Sequence, residues 1–240
     1  MEINQLLENG NKIFLPNLSI DFTIIGYRNE QLQCLLLRFS DKWLLPGGYL
    51  KKTESVDAAA QRILWERTHL ENAHLKFLSV FGDENRSFKK EFIKYFKENK
   101  LPWRDDYWIN NRFVTLAYYS LVDINRTHPK PGLFAEEVRW FPIDDLPAMW
   151  LDHEAIVAKV RERLKSDIQR EYTTLNLLSK QFTMPQLHQL HQQILEEKID
   201  RSRFQKKMLS TGLFERLPRL KKETPGRQPF QYRLKSGNNS

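Results

Sequence analysis

The sequence predicts an α+β chain in two modules: a mixed α and β module, then a small basic module of helices closed by a hairpin. Three observations predict it. Strand-like runs alternate with helix-period runs through the first two thirds of the chain. Charge is unevenly placed: the 240 residues hold 38 Lys+Arg and 30 Asp+Glu, but the first 167 hold 24 of each and residues 168–240 carry the whole excess of +8. Within that second part, residues 199–240 have 11 basic and 3 acidic side chains, and such asymmetry points to a module that faces a polyanion. The modules are therefore expected to divide into 1–167 and 168–240.

Bulk properties narrow the class. A hydrophobic content of 40% is enough to bury a core. The one cysteine, Cys34, sits between leucines in LQCLLLRF and reads as core rather than nucleophile. A chain with one cysteine forms no internal disulfide, which fits a reducing, cytoplasmic setting. The first twelve residues, MEINQLLENGNK, are polar and hold no apolar signal core. No apolar run approaches the roughly 20 residues of a membrane span. A soluble protein without a membrane partner is expected.

The first module opens with SIDFTIIGY and LQCLLLRF, two strand-like runs separated by RNEQ, which predict a hairpin. Asp41-Lys42 turns the chain toward WLLPGGYL, where Pro46-Gly47-Gly48 is expected to end any regular element. From Ser55 to Arg67, Val56, Ala59, Ala60, Ile63 and Leu64 recur at helical spacing. FLSVFG, RFVTLAYYSLV and VRWFPI are further strands, and HEAIVAKVRERL has helical period through Ile156, Val157, Val160 and Leu164. Between two of the strands lies an insertion, about residues 86–110. There Phe88, Phe92, Tyr95 and Phe96 form one apolar helical stripe, which reads as a helix packed on its own domain, with a pocket lid or subunit contact as alternatives.

GGYLKKTESVDAAAQRILWER places two glycines, a polar loop, a glutamate and an amphipathic helix between strands. It resembles the Nudix box, whose pattern is Gly, five residues, Glu, seven residues, Arg-Glu-apolar-x-Glu-Glu-x-Gly-apolar. Gly48, Glu54, Arg62, Leu64, Glu66 and Leu70 match at the required spacing. The resemblance covers about the first 165 residues and implies a Nudix-like α/β/α sandwich with a mixed sheet. Nudix hydrolases use divalent cations to cut nucleoside diphosphate derivatives, and hard cations want carboxylate ligands on one helix face. Here those positions are Ile63, Glu66 and Arg67, and His69 replaces the box's second glycine. Arg67 would repel a cation and is placed to pair with Glu66. Gly48, Glu54, Arg62 and Glu66 thus read as a degenerate box kept as scaffold: Gly48 for its backbone turn, Glu54 and Arg62 to tie loop to helix. No catalytic residue, metal or cofactor is expected. The alternative is an active hydrolase that rebuilds a metal site from Glu54 and Glu66 with Asp83 or Glu84. The pocket candidates are Arg38, Trp43, Gly47, Gly48, Phe81 and Asp83, with Arg38 and Asp83 available to sugar hydroxyls and Trp43 or Phe81 to a ring face.

In the second module Thr183 is a good N-cap with Pro185 in the first turn, and Leu187, Leu190, Ile194 and Leu195 give an apolar stripe. Asp200 can cap the next helix and Gly212 can end it. FERLPRL and FQYRLK then form a hairpin across a basic, turn-rich connection. Helices followed by a basic hairpin read as a winged helix-turn-helix. On the helix from Arg201, Phe204 and Met208 share one face, while Ser202, Arg203 and Lys206 lie opposite with Lys207 flanking. Arg201, Ser202, Arg203, Lys206 and Lys207 are the expected reading residues, and Lys221, Lys222 and Arg227 the expected wing contacts to phosphate. His188 and His191 have no third ligand in the sequence and read as ordinary helix residues.

Together the modules resemble the Nudix-related transcriptional regulators, generally dimeric, with RSRFQKKM and the following hairpin closest to the sugar-control branch. The resemblance implies a DNA-operator partner, a homodimer, and a small effector, either a sugar such as a pentose or an ADP-ribose-like nucleotide.

Overall fold

The structure, a computed structural model, describes residues 3–70, 73–131, 135–170, 172–219 and 228–235. The elements run α1 (Ile3–Ile13), β1 (Phe14–Arg28), β2 (Gln31–Phe39), β3 (Lys42–Leu44), β4 (Gly47–Lys51), α2 (Val56–Thr68), β5 (Lys76–Phe81), α3 (Lys89–Glu98), β6 (Val114–Leu121), β7 (Glu137–Pro142) and α4 (His153–Arg170). After a 3-10 turn at Tyr172–Leu177 come β8 (Phe182–Thr183), α5 (Met184–Leu195), α6 (Arg201–Ser210), β9 (Phe214–Arg219) and β10 (Phe230–Leu234).

The first seven strands form one mixed sheet. Its spine is β1, whose C-terminal half pairs antiparallel with β2 and whose N-terminal half pairs antiparallel with β4. The other edge of β1 pairs in parallel with β6, from Leu18↔Val114 to Ile25↔Leu121. The expected RNEQ turn is a two-residue hairpin, with Asn29 and Glu30 both in the left-handed region (φ 53° and 60°). That geometry matches the right-handed twist of the flanking strands.

Two faces of this sheet are covered by helices. Ser55 caps α2 by accepting from the Ala58 amide at 3.2 Å, and Ala59, Ala60, Ile63 and Leu64 bury against Ile20, Phe22, Ile24 and Leu35. Burying Ile63 and Leu64 contributes about 1.5–3 kcal/mol each. On the other face Ile156, Val157, Val160 and Leu164 of α4 join Leu36, Ala117 and Tyr119. Tyr119 also donates its hydroxyl to buried Asp167.

One expectation is corrected here. Regular structure does break at Pro46, since β3 ends at Leu44, but Gly47 and Gly48 do not extend the break: they begin β4 and pair with Asp21 and Ile20. The polar N-terminal segment, to which the sequence reading assigns no element, forms α1. Gly10 interrupts its sequence pattern because Trp108 packs there: a Cβ on Gly10 would lie 2.1 Å from Trp108 Nε1, which donates to the Leu6 carbonyl at 2.8 Å.

The second module is a three-stranded sheet, order β8-β10-β9, with α5 and α6 packed on it. Thr183 and Gln186 form a reciprocal capping box on α5, and Asp200 accepts from the Arg203 amide at 2.8 Å to cap α6. Gly212, at φ 71°, follows the end of α6. Pro218 sits in β9, an edge strand where no ladder donor is required. The helix α4 runs through the boundary expected at 167/168, and one apolar cluster continues from it into Leu187, Leu190, Ile194, Phe204 and Tyr232. Arg161 and Lys165 of α4 both bond Glu196 at the end of α5.

Candidate functional site

The box region is built around Arg62. Its guanidinium donates to both carboxylate oxygens of Glu54, to Glu66 Oε2 at 2.9 Å and to the Tyr49 carbonyl at 3.0 Å. Glu54 also accepts from the Lys51 amide at 2.7 Å. The Arg62 guanidinium, acting first, holds the Glu54 carboxyl below its ordinary range. One arginine thus fastens strand, loop and helix, and it occupies both acidic residues that remain in the motif.

The two substituted ligand positions have structural partners. Ile63 packs on Gly48 so closely that a Cβ there would fall 2.9 Å from Ile63 Cγ2. Gly48 has no left-handed backbone, so close approach, rather than the turn expected from sequence, is what requires a glycine. Arg67 donates Nε–H to the Gly47 carbonyl at 2.8 Å. Burial pushes its guanidinium down from the ordinary value, opposed by Tyr49, Glu66 and Asp21. His69, where the box has glycine, adopts φ 55° at the end of α2.

A fit to divalent cations fails on this donor set. The helix face offers an isoleucine, an arginine and a glutamate already bound to Arg62. Among the described residues no group of three or more His, Cys, Asp or Glu is arranged to hold a metal. Asp83, the residue invoked to rebuild a metal site, accepts from the Asn85 amide at 3.1 Å in a tight turn.

Beside the box lies a cavity of about 110 Å³. Ser19 and Asp21 of β1, Gly47 and Gly48 of β4, Arg67 of α2 and His153 of α4 supply its polar wall. Leu6, Leu7, Phe39, Phe88, Phe92 and Trp150 supply an apolar one. Of the pocket residues expected from sequence, Arg38, Gly47 and Gly48 line this cavity, and Trp43, Phe81 and Asp83 do not. Trp43 instead packs edge-on to Phe141 at 4.5 Å, and Phe81 is partly buried against the core. Arg38 is exposed and ion-paired with Glu136 and Glu137.

Behind the polar wall is a buried cluster for which the sequence gives no signal. Arg86, 3% exposed, donates to Asp21 Oδ2 at 2.9 Å and to both oxygens of Asp152 at 3.0 and 3.1 Å. Two carboxylates around one guanidinium satisfy a charge that would otherwise be costly to bury. His153 accepts the Leu45 amide on Nδ1 at 3.0 Å. Burial holds its pKa below the ordinary value, so the neutral ring carries its proton on Nε2.

In the second module α6 presents two faces. Phe204 and Met208 are buried, whereas Arg201, Ser202, Arg203, Lys206 and Lys207 are all exposed. Among the described residues none of those four cations enters an ion pair. Arg201 also lines a cleft shared with Arg28 and Asn29 of the first module. Lys221, Lys222 and Arg227 lie outside the described residues. Sequence reasoning missed Arg216 and Arg219, whose guanidinium carbons stand 4.6 and 4.4 Å from the Phe230 ring centroid on the wing strands. A basic strand facing an aromatic one was the available signal. His188 and His191 hold the helices together: both rings pack against Phe204, with centroids 5.2 and 4.8 Å away, and His188 Nε2 bonds the Ile199 carbonyl at 2.8 Å.

Comparison with known proteins gives two family matches. The NUDIX domain family matches residues 18–160, and the NrtR DNA-binding winged helix domain matches residues 174–234. Over 225 residues the chain is 22% identical to the ADPR responsive transcriptional repressor NtrR of Acinetobacter baylyi, covering 90% of this chain and 80% of that protein. Its fold is shared with Shewanella oneidensis NrtR, solved with a 27mer DNA, at TM-score 0.69 and 23% identity over 91% of this chain and 93% of that one. A MutT/nudix family protein from Enterococcus faecalis shares it too, at TM-score 0.68 and 20% identity over 98% and 94%.

Proposed function

The chain belongs to the NUDIX domain family, with an NrtR-type winged helix domain at its C-terminal end, and from that premise we propose that it is a DNA-binding transcriptional regulator whose Nudix domain senses a small metabolite. The observation that carries the reading is the outer face of α6, where Arg201, Arg203, Lys206 and Lys207 stand exposed without an ion-pair partner among the described residues. Such a helix suits a major groove, with Arg203 and Lys206 toward base edges or phosphates and the wing strands on the backbone.

The Nudix module acts here as a binding domain and turns over no substrate. Ile63 and Arg67 stand at two metal-ligand positions, and Glu54 and Glu66 are held by Arg62. The effector is a sugar or an ADP-ribose-like nucleotide; the relative from Acinetobacter baylyi is ADPR responsive. The protein works as a cytoplasmic homodimer, since two winged helices reading successive major grooves need half-sites about 10 bp apart or a multiple. Among the described residues no helix is long and apolar enough to cross a membrane.

The test is selection of duplexes from a random library by the full-length chain, followed by anisotropy titration. Arg203→Ala should weaken the selected duplex by about 1–3 kcal/mol and relax its sequence preference. Recovery of no preferred sequence, or equal binding by wild type and Arg203→Ala, would count against α6 as the reading helix.

A further inference from the structure

A cleft of about 700 Å³ lies between the tip of the β1–β2 hairpin and the start of the helix pair in the second module. Arg28, Asn29 and Glu30 belong to its first wall, and Gln186 and Gln189 of α5 with Arg201 of α6 to the wall opposite. Both walls are held in place. The hairpin turns through two residues in the left-handed region. The short turn Ile124–Arg126 packs against it at Gly26, where an added Cβ would lie 3.1 Å from Ile124 Cβ. Opposite, α5 begins at its capping box and α6 at the Asp200 cap.

The cleft is basic. Two arginines and one glutamate line it. Arg28 and Arg201 are exposed, and neither enters an ion pair among the described residues. Arg126, next in the chain to the lining residue Asn125, is a third exposed arginine in the same condition. Guanidinium and carboxamide groups donate to phosphate oxygens. The place of the cleft in the fold selects the source of the phosphate. In a helix-turn-helix the first helix crosses the sugar-phosphate backbone while the second enters the major groove. Here α5 is the first helix and α6 the second, and the cleft runs from both of them to the hairpin.

We infer that the hairpin of the first module is part of the DNA interface: Arg28 donates to a phosphate of the backbone strand that passes α5, while α6 reads the bases. The inference rests on α6 as the reading helix and extends the interface into the Nudix module. A phosphate contact adds affinity without sequence preference. The two-residue turn is already ordered, so little chain freedom is lost when the contact forms. A duplex gripped by both modules also fixes the angle between them. Any movement of one module against the other then breaks the Arg28 contact or the α6 contacts, and duplex affinity falls.

The experiment is anisotropy titration of the full-length chain with its selected duplex, flanked on each side by about 10 bp, across a salt series. Arg28→Gln should bind more weakly and lose less affinity as salt rises. One phosphate contact fewer makes the loss between about 50 and 200 mM salt smaller by about three- to fourfold. Its preference for the selected duplex over a scrambled one should equal that of wild type. Arg28→Lys, which keeps the charge, should restore the salt slope. The control is Lys97→Gln on α3, which removes the same charge from the helix packed at Phe39, the other end of β2; its slope should match wild type. An unchanged melting temperature without duplex shows that the variants are folded. An Arg28→Gln slope equal to that of wild type would overturn the inference. So would an equal effect from Lys97→Gln, which would make Arg28 one contributor to a general field. If Arg203→Ala relaxes sequence preference while Arg28→Gln changes nothing, the reading helix stands and this inference fails. If no duplex is selected at all, both fail together.

Discussion

Arg67 donates its Nε–H to the carbonyl of Gly47 at 2.8 Å, so the last turn of α2 is tied to the first residue of the strand that opens the box. A carboxylate at position 67 could not make that bond, since it has no donor. The residue that stands at a metal-ligand position of the pattern therefore fastens the motif. Incubation with Mg²⁺ or Mn²⁺ and a panel including ADP-ribose and sugar nucleotides should show no turnover approaching the ordinary enzyme range, about 1 per second or faster. Specific release of a nucleotide product at such a rate would contradict the account.

Arg86 is the residue on which the interior of the first module depends most. Arg86→Met leaves Asp21 and Asp152 without their shared cation, and removing one partner of a buried ion pair costs about 3–5 kcal/mol. Urea denaturation should show a loss of that size. A loss under about 1 kcal/mol would mean that water reaches these carboxylates and solvates them.

His69 occupies a left-handed backbone position, φ 55°, at the end of α2. Glycine takes that conformation without the steric cost a side chain incurs. His69→Gly should stabilise the chain by about 0.5–1 kcal/mol, net of the added freedom of its unfolded state, as a raised denaturation midpoint. A lowered midpoint would show that the ring contact with Trp65, centroids 5.0 Å apart, outweighs the backbone term.

Burial, with Lys207 and His188 adding to it, holds His191 down to about 4 from an ordinary 6.5. Between those values the unfolded chain binds a proton that the folded one does not, so stability falls as pH drops through that window. The loss is at most about 3 kcal/mol and is complete below the folded value. His191→Gln should flatten the stability profile from pH 6.5 to 4, leaving the slope due to His153, which burial also depresses. An unaltered profile would place the acid sensitivity elsewhere.

Much of the fold was legible because local chemistry and tertiary packing agree. Ser55, Thr183 and Asp200 start helices by their own hydrogen bonds and Gly212 follows the end of one by its conformational freedom, and the two-faced pattern of α6 follows from helical period alone. What was illegible depends on distant partners. Gly10 looks like a break in a helix until Trp108 is placed against it. Gly47 and Gly48 look like a loop until Asp21 and Ile63 are seen to leave no room for a Cβ. Arg86 is one arginine in a polar stretch, and nothing nearby in sequence announces the two carboxylates that bury it. The site suffered most from this. Arg38, Gly47 and Gly48 were found because they belong to or flank the motif, whereas Ser19 and Asp21 come from one strand, β1, and His153 from α4, both outside it. Trp43, Phe81 and Asp83 were nominated by nearness in sequence, and the sheet directs them elsewhere.

The central claim is that a metabolite held in the Nudix module changes the affinity of the winged helix for DNA. Its most direct test is titration of pentoses, sugar phosphates and ADP-ribose into the complex of the full-length chain with its selected duplex, followed by anisotropy. At least one ligand should change duplex affinity by about 5–150-fold, the range of an ordinary coupling free energy. A ligand that binds the Nudix module tightly and leaves duplex affinity unchanged at every concentration would contradict it.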